Sequence, residues 1–153
     1  MLINVLIAVL LITINIFIHA AAMMLIMRLL VQNFTVKLDR ILWSWPVFPV
    51  CLAMLLMFLA SICEVMVWAI AYLTVHAVQG FEKAVYFSMV TFTSLGYGDI
   101  VLSERWRLLA SFEAACGIIM FGWTTALVIA VVQRVYFNIQ LVPDNKKIFK
   151  EKS

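Results

Sequence analysis

Residues 81–99 read FEKAVYFSMVTFTSLGYGD, an apolar segment that ends on two closely spaced glycines. As an α-helix, residues 81–93 would be only about 20 Å long, because each residue adds 1.5 Å of rise. The hydrocarbon core of a bilayer is about 30 Å thick, so this helix is too short to cross it. The segment therefore predicts a helix that enters a membrane and a glycine-containing turn that brings the chain back out.

Long apolar segments precede and follow this short helix. Residues 2–27 contain no Asp, Glu, Lys or Arg, residues 46–80 contain only Glu64, and residues 108–133 contain only Glu113. About 20 apolar residues are enough to cross a bilayer as a helix. With 66% hydrophobic and 12% charged residues in 153, the composition excludes a water-soluble helical bundle. We predict an all-α integral membrane protein with three transmembrane helices and one re-entrant helix and loop.

The basic residues indicate how the chain is oriented. Three of the eleven lie in residues 28–40, five lie in residues 134–152, and the other three lie in residues 83–107. Because cytoplasmic segments are enriched in Lys and Arg, residues 31–45 are predicted to be a cytoplasmic loop and residues 135–153 a short basic cytoplasmic tail. The N-terminus is then outside. A cleaved signal peptide is not expected, since no basic residue precedes the first apolar segment.

The segment from Thr93 to Asp99, with the half-length helix before it, resembles the pore helix and selectivity filter of potassium channels, whose filter is commonly written Thr-Val-Gly-Tyr-Gly-Asp. The surrounding chain is similar to small bacterial channels of the two-helix pore-loop type, with an additional N-terminal transmembrane helix over residues 1–30. The resemblance implies a pore domain over residues 46–134. Its parts are an outer helix at 46–79, a pore helix at 81–93, the filter at 94–98 and an inner helix at 105–134.

The resemblance also implies a set of residues that bind and support the ion. Backbone carbonyls would bind K+ along a filter made of Ser94, Leu95, Gly96, Tyr97 and Gly98, with the first four carbonyls lining the path. Glycine suits this backbone, because it adopts unusual angles without a Cβ clash. Thr93 would support the filter. Tyr86 and Phe87 would pack against the Tyr97 ring, and Asp99 would lie at the outer mouth.

One filter strand supplies one carbonyl to each ion-binding layer, so a surrounded ion requires four copies of the chain. We therefore expect a homotetramer in the lipid bilayer of a bacterial inner (plasma) membrane, with K+ as the transported ion. No cofactor, nucleic acid or small-molecule substrate is expected. An enzyme is not expected either, because the sequence has no nucleophile–base pair, metal-ligand spacing or phosphate-binding loop.

Two substitutions in the filter leave a second function open. The usual threonine and valine are Ser94 and Leu95 here, and both changes remove β-branching that restricts side-chain rotation. A weakly selective monovalent cation channel is therefore the alternative to a K+-selective one. A non-conducting or modulatory membrane subunit is an alternative of another class. The sequence does not indicate what opens the channel.

Four residues within the apolar segments have more than one interpretation. Gly117 is either a gating hinge, as in related inner helices, or a site where helices approach closely. Glu64 and Glu113 are expected to face protein or water and to brace the pore helix or its neighbours, since charged groups are unfavourable in lipid. His19 is interpreted as an interhelical hydrogen-bonding residue in preference to a proton or metal site.

Overall fold

The computed structural model describes residues 2–35 and 47–140. Within these ranges the chain forms four helices and no strand: α1 at Leu2–Thr35, α2 at Val47–Thr74, α3 at Phe81–Phe92 and α4 at Arg107–Gln140. Three segments are long and apolar enough to cross a membrane, namely Leu2–Leu29, Val47–Thr74 and Arg107–Arg134. The fold is thus the predicted all-α class. Most of the predicted cytoplasmic loop and tail, residues 36–46 and 141–153, lies outside the described residues.

The end of α2 differs from the prediction, because the helix stops at Thr74 and not at residue 79. The Ala77 N–H donates to the Tyr72 carbonyl over 2.9 Å, and the His76 N–H donates to the Leu73 carbonyl over 3.1 Å. His76 has a positive φ of 53°. These two bonds and the left-handed residue form a Schellman motif, which satisfies the last helical carbonyls and turns the chain away.

The other helices also end at positions that differ from the prediction. Helix α1 continues to Thr35 and α4 continues to Gln140, where a loop and a tail were expected. The predicted bounds follow the charged residues, which indicate where the chain leaves the membrane. The hydrogen bonds of a helix do not require lipid, so a helix can continue beyond that point. Helix α4 begins at Arg107, not at residue 105, because a turn closed by the Trp106 N–H to the Ser103 carbonyl precedes it.

Helices α2 and α4 are central, since each of them contacts the other three helices. Helix α3 packs against α2 and α4, and α1 packs against the same two helices. The largest fully buried side chains of this core include Trp68, Tyr72, Phe92 and Leu109. The Asn4 side-chain amide donates to the Arg105 carbonyl over 2.5 Å. The start of α1 therefore lies on the same side of the molecule as the loop between α3 and α4.

Candidate functional site

The loop that follows α3 begins with the cap of that helix. The Ser94 N–H donates to the Thr91 carbonyl over 2.9 Å, and the Leu95 N–H donates to the Val90 carbonyl over 3.0 Å. Ser94 has a φ of 59°, a left-handed conformation that residues other than glycine rarely adopt. This is a second Schellman motif. The end of α3 therefore fixes the conformation of the first residue of the predicted filter.

The left-handed conformation recurs at every second residue of the filter. Gly96 has a φ of 55° and Gly98 a φ of 78°, whereas φ is not positive at Leu95 and Tyr97. In an ordinary strand successive carbonyls point to opposite sides, but a backbone that alternates between right- and left-handed regions turns them the same way. The positive φ at every second residue of the predicted filter is consistent with a row of carbonyls on one side.

The two aromatic residues that were predicted to pack against Tyr97 make different contacts within the chain. The Tyr86 hydroxyl donates to Asp99 Oδ2 over 2.7 Å, whereas the Phe87 ring is buried edge-on against Tyr72, with ring centroids 5.1 Å apart. Successive residues of a helix point about 100° apart, so these two aromatic side chains occupy different faces of α3. Tyr97 is 67% exposed and Leu95 is 58% exposed in the single chain. Thr93 caps α3 by donating its hydroxyl to the Met89 carbonyl.

Behind α3, the Glu113 carboxyl joins three helices. The Tyr72 hydroxyl donates to Glu113 Oε2 over 2.6 Å. Ser88 Oγ lies 2.5 Å from Glu113 Oε1 and 2.9 Å from the Val65 carbonyl oxygen. Glu113 and Ser88 are fully buried. Ser88 has one hydroxyl hydrogen but lies near two acceptor oxygens. A protonated Glu113 satisfies these atoms best, because its O–H donates to Ser88 Oγ and the Ser88 hydroxyl donates to the Val65 carbonyl.

Gly117 lies where α4 meets the end of α3. A Cβ at this position would overlap the Phe92 carbonyl oxygen and lie 2.9 Å from the Phe92 carbonyl carbon. Helix α4 is continuous through Gly117. The small residue therefore permits the backbones of the two helices to approach closely, which is the packing role that the sequence left open. The hinge role stays a prediction.

A family model described as "Ion channel" matches residues 60–134. This part of the chain belongs to the ion channel family. The matched range covers the second half of α2, all of α3, the loop and most of α4, and α1 lies outside it. Searches of the curated proteins and of the solved structures gave no match. The ion channel domain supports an ion-conducting subunit in a membrane and points away from an enzyme.

Glu64 lies in the ion channel domain and bonds to α1. His19 Nδ1 lies 2.8 Å from Glu64 Oε1, and His19 Nε2 lies 3.4 Å from the Thr124 hydroxyl. Glu64 thus joins α2 to α1, and through His19 to α4, and its bracing of the pore helix or its neighbours stays a prediction. His19 makes the interhelical hydrogen bond that was preferred for it. In residues 2–35 and 47–140, no group of three or more His, Cys, Asp or Glu residues could hold a metal.

The sequence alone did not identify the partners of the buried acids. Tyr72 and Ser88 bond to Glu113, and Thr124 bonds to His19. The sequence did indicate that such partners exist, because an acid within an apolar segment requires a polar partner on a neighbouring helix. Which of several serines, threonines and tyrosines meets it depends on how the helices are rotated about their axes, and this follows only from packing.

Removing the Glu113 side chain is expected to destabilise the ion channel domain much more than removing its acidity. Glu113→Ala leaves the buried Tyr72 and Ser88 hydroxyls without this partner, at roughly 1–3 kcal/mol for each unsatisfied group. Glu113→Gln retains an oxygen for Tyr72 and an N–H for Ser88, so it should unfold close to the native temperature. Thermal unfolding of the purified protein measures both. Equal losses in the two variants would show that the charge, not the hydrogen bonding, holds this site.

The Tyr86–Asp99 hydrogen bond is expected to appear in an alkaline titration. Because Tyr86 donates to Asp99, the pKa of Tyr86 lies above its ordinary value. The stabilisation is therefore present below a pH of about 10 and is lost as the pH rises through the higher folded-state pKa. Absorbance titration should show a high-pH tyrosine component that Tyr86→Phe removes and that Tyr97→Phe retains. If Tyr86→Phe removed only a component at the ordinary tyrosine pKa, the hydrogen bond would be absent.

Proposed function

We propose that this chain is a subunit of a potassium-selective channel that conducts K+ passively through a homotetrameric pore. The observation that carries the proposal is the alternation of left-handed residues at Ser94, Gly96 and Gly98, in a loop between two membrane-spanning helices of an ion channel domain. K+ would bind to the carbonyls of the filter, from Ser94 to Tyr97, in place of its hydration shell.

Four copies are proposed because one row of carbonyls covers only one side of an ion. The exposure of Leu95 and Tyr97 in the single chain is consistent with a ring in which neighbouring subunits cover these apolar and aromatic side chains. Subunits that surround a common axis would place each layer of carbonyls around it. The Ser94 hydroxyl would then complete the innermost site.

The electrostatics of α3 and Asp99 favour a cation in the same place. The C-terminal end of a helix carries partial negative charge, and α3 ends at the filter. Asp99 is exposed and follows the filter directly, where its carboxylate would raise the local cation concentration at the outer mouth. We place this mouth outside the cell, with an external N-terminus and a cytoplasmic C-terminus in the bacterial inner membrane. Both assignments rest on the charge distribution and the resemblance.

A weakly selective cation channel is the second candidate, and Ser94 and Leu95 favour it. Serine lacks the methyl group that restricts a threonine hydroxyl, and leucine is not β-branched. Both substitutions allow more side-chain motion beside the filter. The Tyr97 ring and the two glycines are typical of selective filters, so potassium selectivity remains the first proposal.

Ion flux from proteoliposomes tests whether the chain conducts at all. Vesicles loaded with K+ should lose it when a proton ionophore balances the charge, and vesicles loaded with the bulky cation N-methyl-D-glucamine should not. Efflux of both cations would indicate a leak through damaged membranes. If neither cation left vesicles that contain folded tetramers over a range of pH and voltage, the chain would be a non-conducting or modulatory subunit.

A further inference from the structure

A second group of buried polar side chains lies between α1, α2 and α4, away from the filter. Asn15, His19, Glu64 and Trp68 are all fully buried. His19 uses both ring nitrogens, toward Glu64 Oε1 and toward the Thr124 hydroxyl. The Asn15 amide donates to Cys116 Sγ over 3.7 Å. This group joins α1, which lies outside the family match, to both spanning helices of the ion channel domain.

Three polar atoms of this group have no hydrogen-bond partner among the described residues. They are Asn15 Oδ1, Glu64 Oε2 and the Trp68 indole nitrogen Nε1. Buried polar atoms in folded proteins are nearly always bonded to protein or to ordered water. The two oxygen atoms accept hydrogen bonds and the indole N–H donates one, so together they call for a small ligand that both donates and accepts.

The pairing of α1 with α2 places the residues that carry these atoms on facing helical turns. The two helices are antiparallel, because the start of α1 and the end of α2 line a common groove of about 420 Å³. Asn15 lies one helical turn before His19, and Trp68 lies one turn after Glu64. Since His19 meets Glu64, the antiparallel register places Asn15 opposite Trp68, one turn along the same contact.

We propose that a single water molecule binds between Asn15, Glu64 and Trp68. It accepts a hydrogen bond from the Trp68 indole N–H and donates one each to Asn15 Oδ1 and Glu64 Oε2. Three bonds are the usual number for a buried water. A bare cation fits the same place less well, because the indole N–H would direct its positive end at the ion.

The bound water connects two sets of side chains that the protein atoms leave separate. It links the His19–Glu64 pair to Asn15, and Asn15 reaches α4 at Cys116. Cys116 lies three residues after Glu113, on the same side of α4, and Glu113 bonds to Ser88 of α3. Helix α1 is thereby held to the helix that supports the filter. This inference does not depend on which ion the channel conducts.

Solid-state NMR of the full chain in deuterated lipid tests the site, with tryptophan labelled by ¹⁵N. The expected result is magnetisation transfer from water to the Trp68 indole proton, whose resonance is assigned as the one lost in Trp68→Phe. Asn15→Leu removes one partner of the water and should abolish the transfer. No transfer in the native protein would overturn the proposal. So would transfer that is unchanged in Asn15→Leu, or a Trp68 resonance that shifts when K+ replaces Na+, which would assign a cation to the site.

Discussion

Gly117→Ala is expected to abolish the assembled, conducting channel. The added methyl group would overlap the Phe92 carbonyl oxygen and crowd the carbonyl carbon at 2.9 Å. The overlapping atom belongs to the backbone and not to a flexible side chain, so α3 would have to move from α4. Overpacking of this kind typically destabilises by about 1–3 kcal/mol and sometimes by more. Because α3 ends at the filter, even a folded variant would have a displaced conduction path.

Gly122→Ala is the matched control for this experiment. Gly122 lies on the same helix, and apart from its chain neighbours and the adjacent helix backbone, no described atom lies within 4 Å of the position its Cβ would take. Alanine favours a helix over glycine by about 1 kcal/mol, so this variant should be as stable as the native protein or more stable. Native mass spectrometry and thermal unfolding compare the two. A Gly117→Ala protein that folds normally and changes only the fraction of time it is open would support the hinge and contradict the packing role.

Gly96→Ala is expected to remove selective conduction and to leave the subunits folded. Gly96 has a φ of 55°, and an L-residue in the left-handed region costs roughly 1–2 kcal/mol. Alanine would favour a negative φ, which breaks the alternation and turns a carbonyl away from its neighbours. A penalty of this size corresponds to roughly a fivefold to thirtyfold loss of the conducting conformation. Single-channel recording and K+ flux measure it.

Gly80→Ala controls for backbone strain without touching the filter. Gly80 also has a positive φ, 91°, and apart from its two chain neighbours no described atom would lie within 4 Å of a Cβ added to it. It precedes α3 and contributes no carbonyl to the predicted filter. We expect a loss of stability in both variants and a loss of selectivity only in Gly96→Ala. Native K+ over Na+ discrimination in Gly96→Ala would mean that the left-handed residues do not shape the conduction path.

The class of the fold could be predicted because a lipid bilayer restricts which backbone structures can cross it. Apolar segments long enough to span, and a helix too short to span, follow from composition and length alone. The glycines at 96 and 98 could be predicted as left-handed from their residue type. Ser94 could not, because its conformation comes from the hydrogen bonds that end α3.

The remaining differences depend on tertiary structure. The early end of α2 depends on His76, which is not a residue that usually marks a helix end. The sequence indicated that Glu64 and Glu113 need partners, but only the rotation of the helices directs Glu113 toward α3 and Glu64 toward α1. The Tyr86–Asp99 bond likewise requires the filter to fold back beside α3.

The reversal potential of the purified channel tests its proposed selectivity most directly. The purified native protein is placed in a planar bilayer with K+ on one side and Na+ on the other. We predict a reversal potential close to the equilibrium value for K+, lost in Gly96→Ala and retained in Gly80→Ala. A native current that reverses near zero would contradict potassium selectivity and establish a cation channel that does not distinguish the two ions.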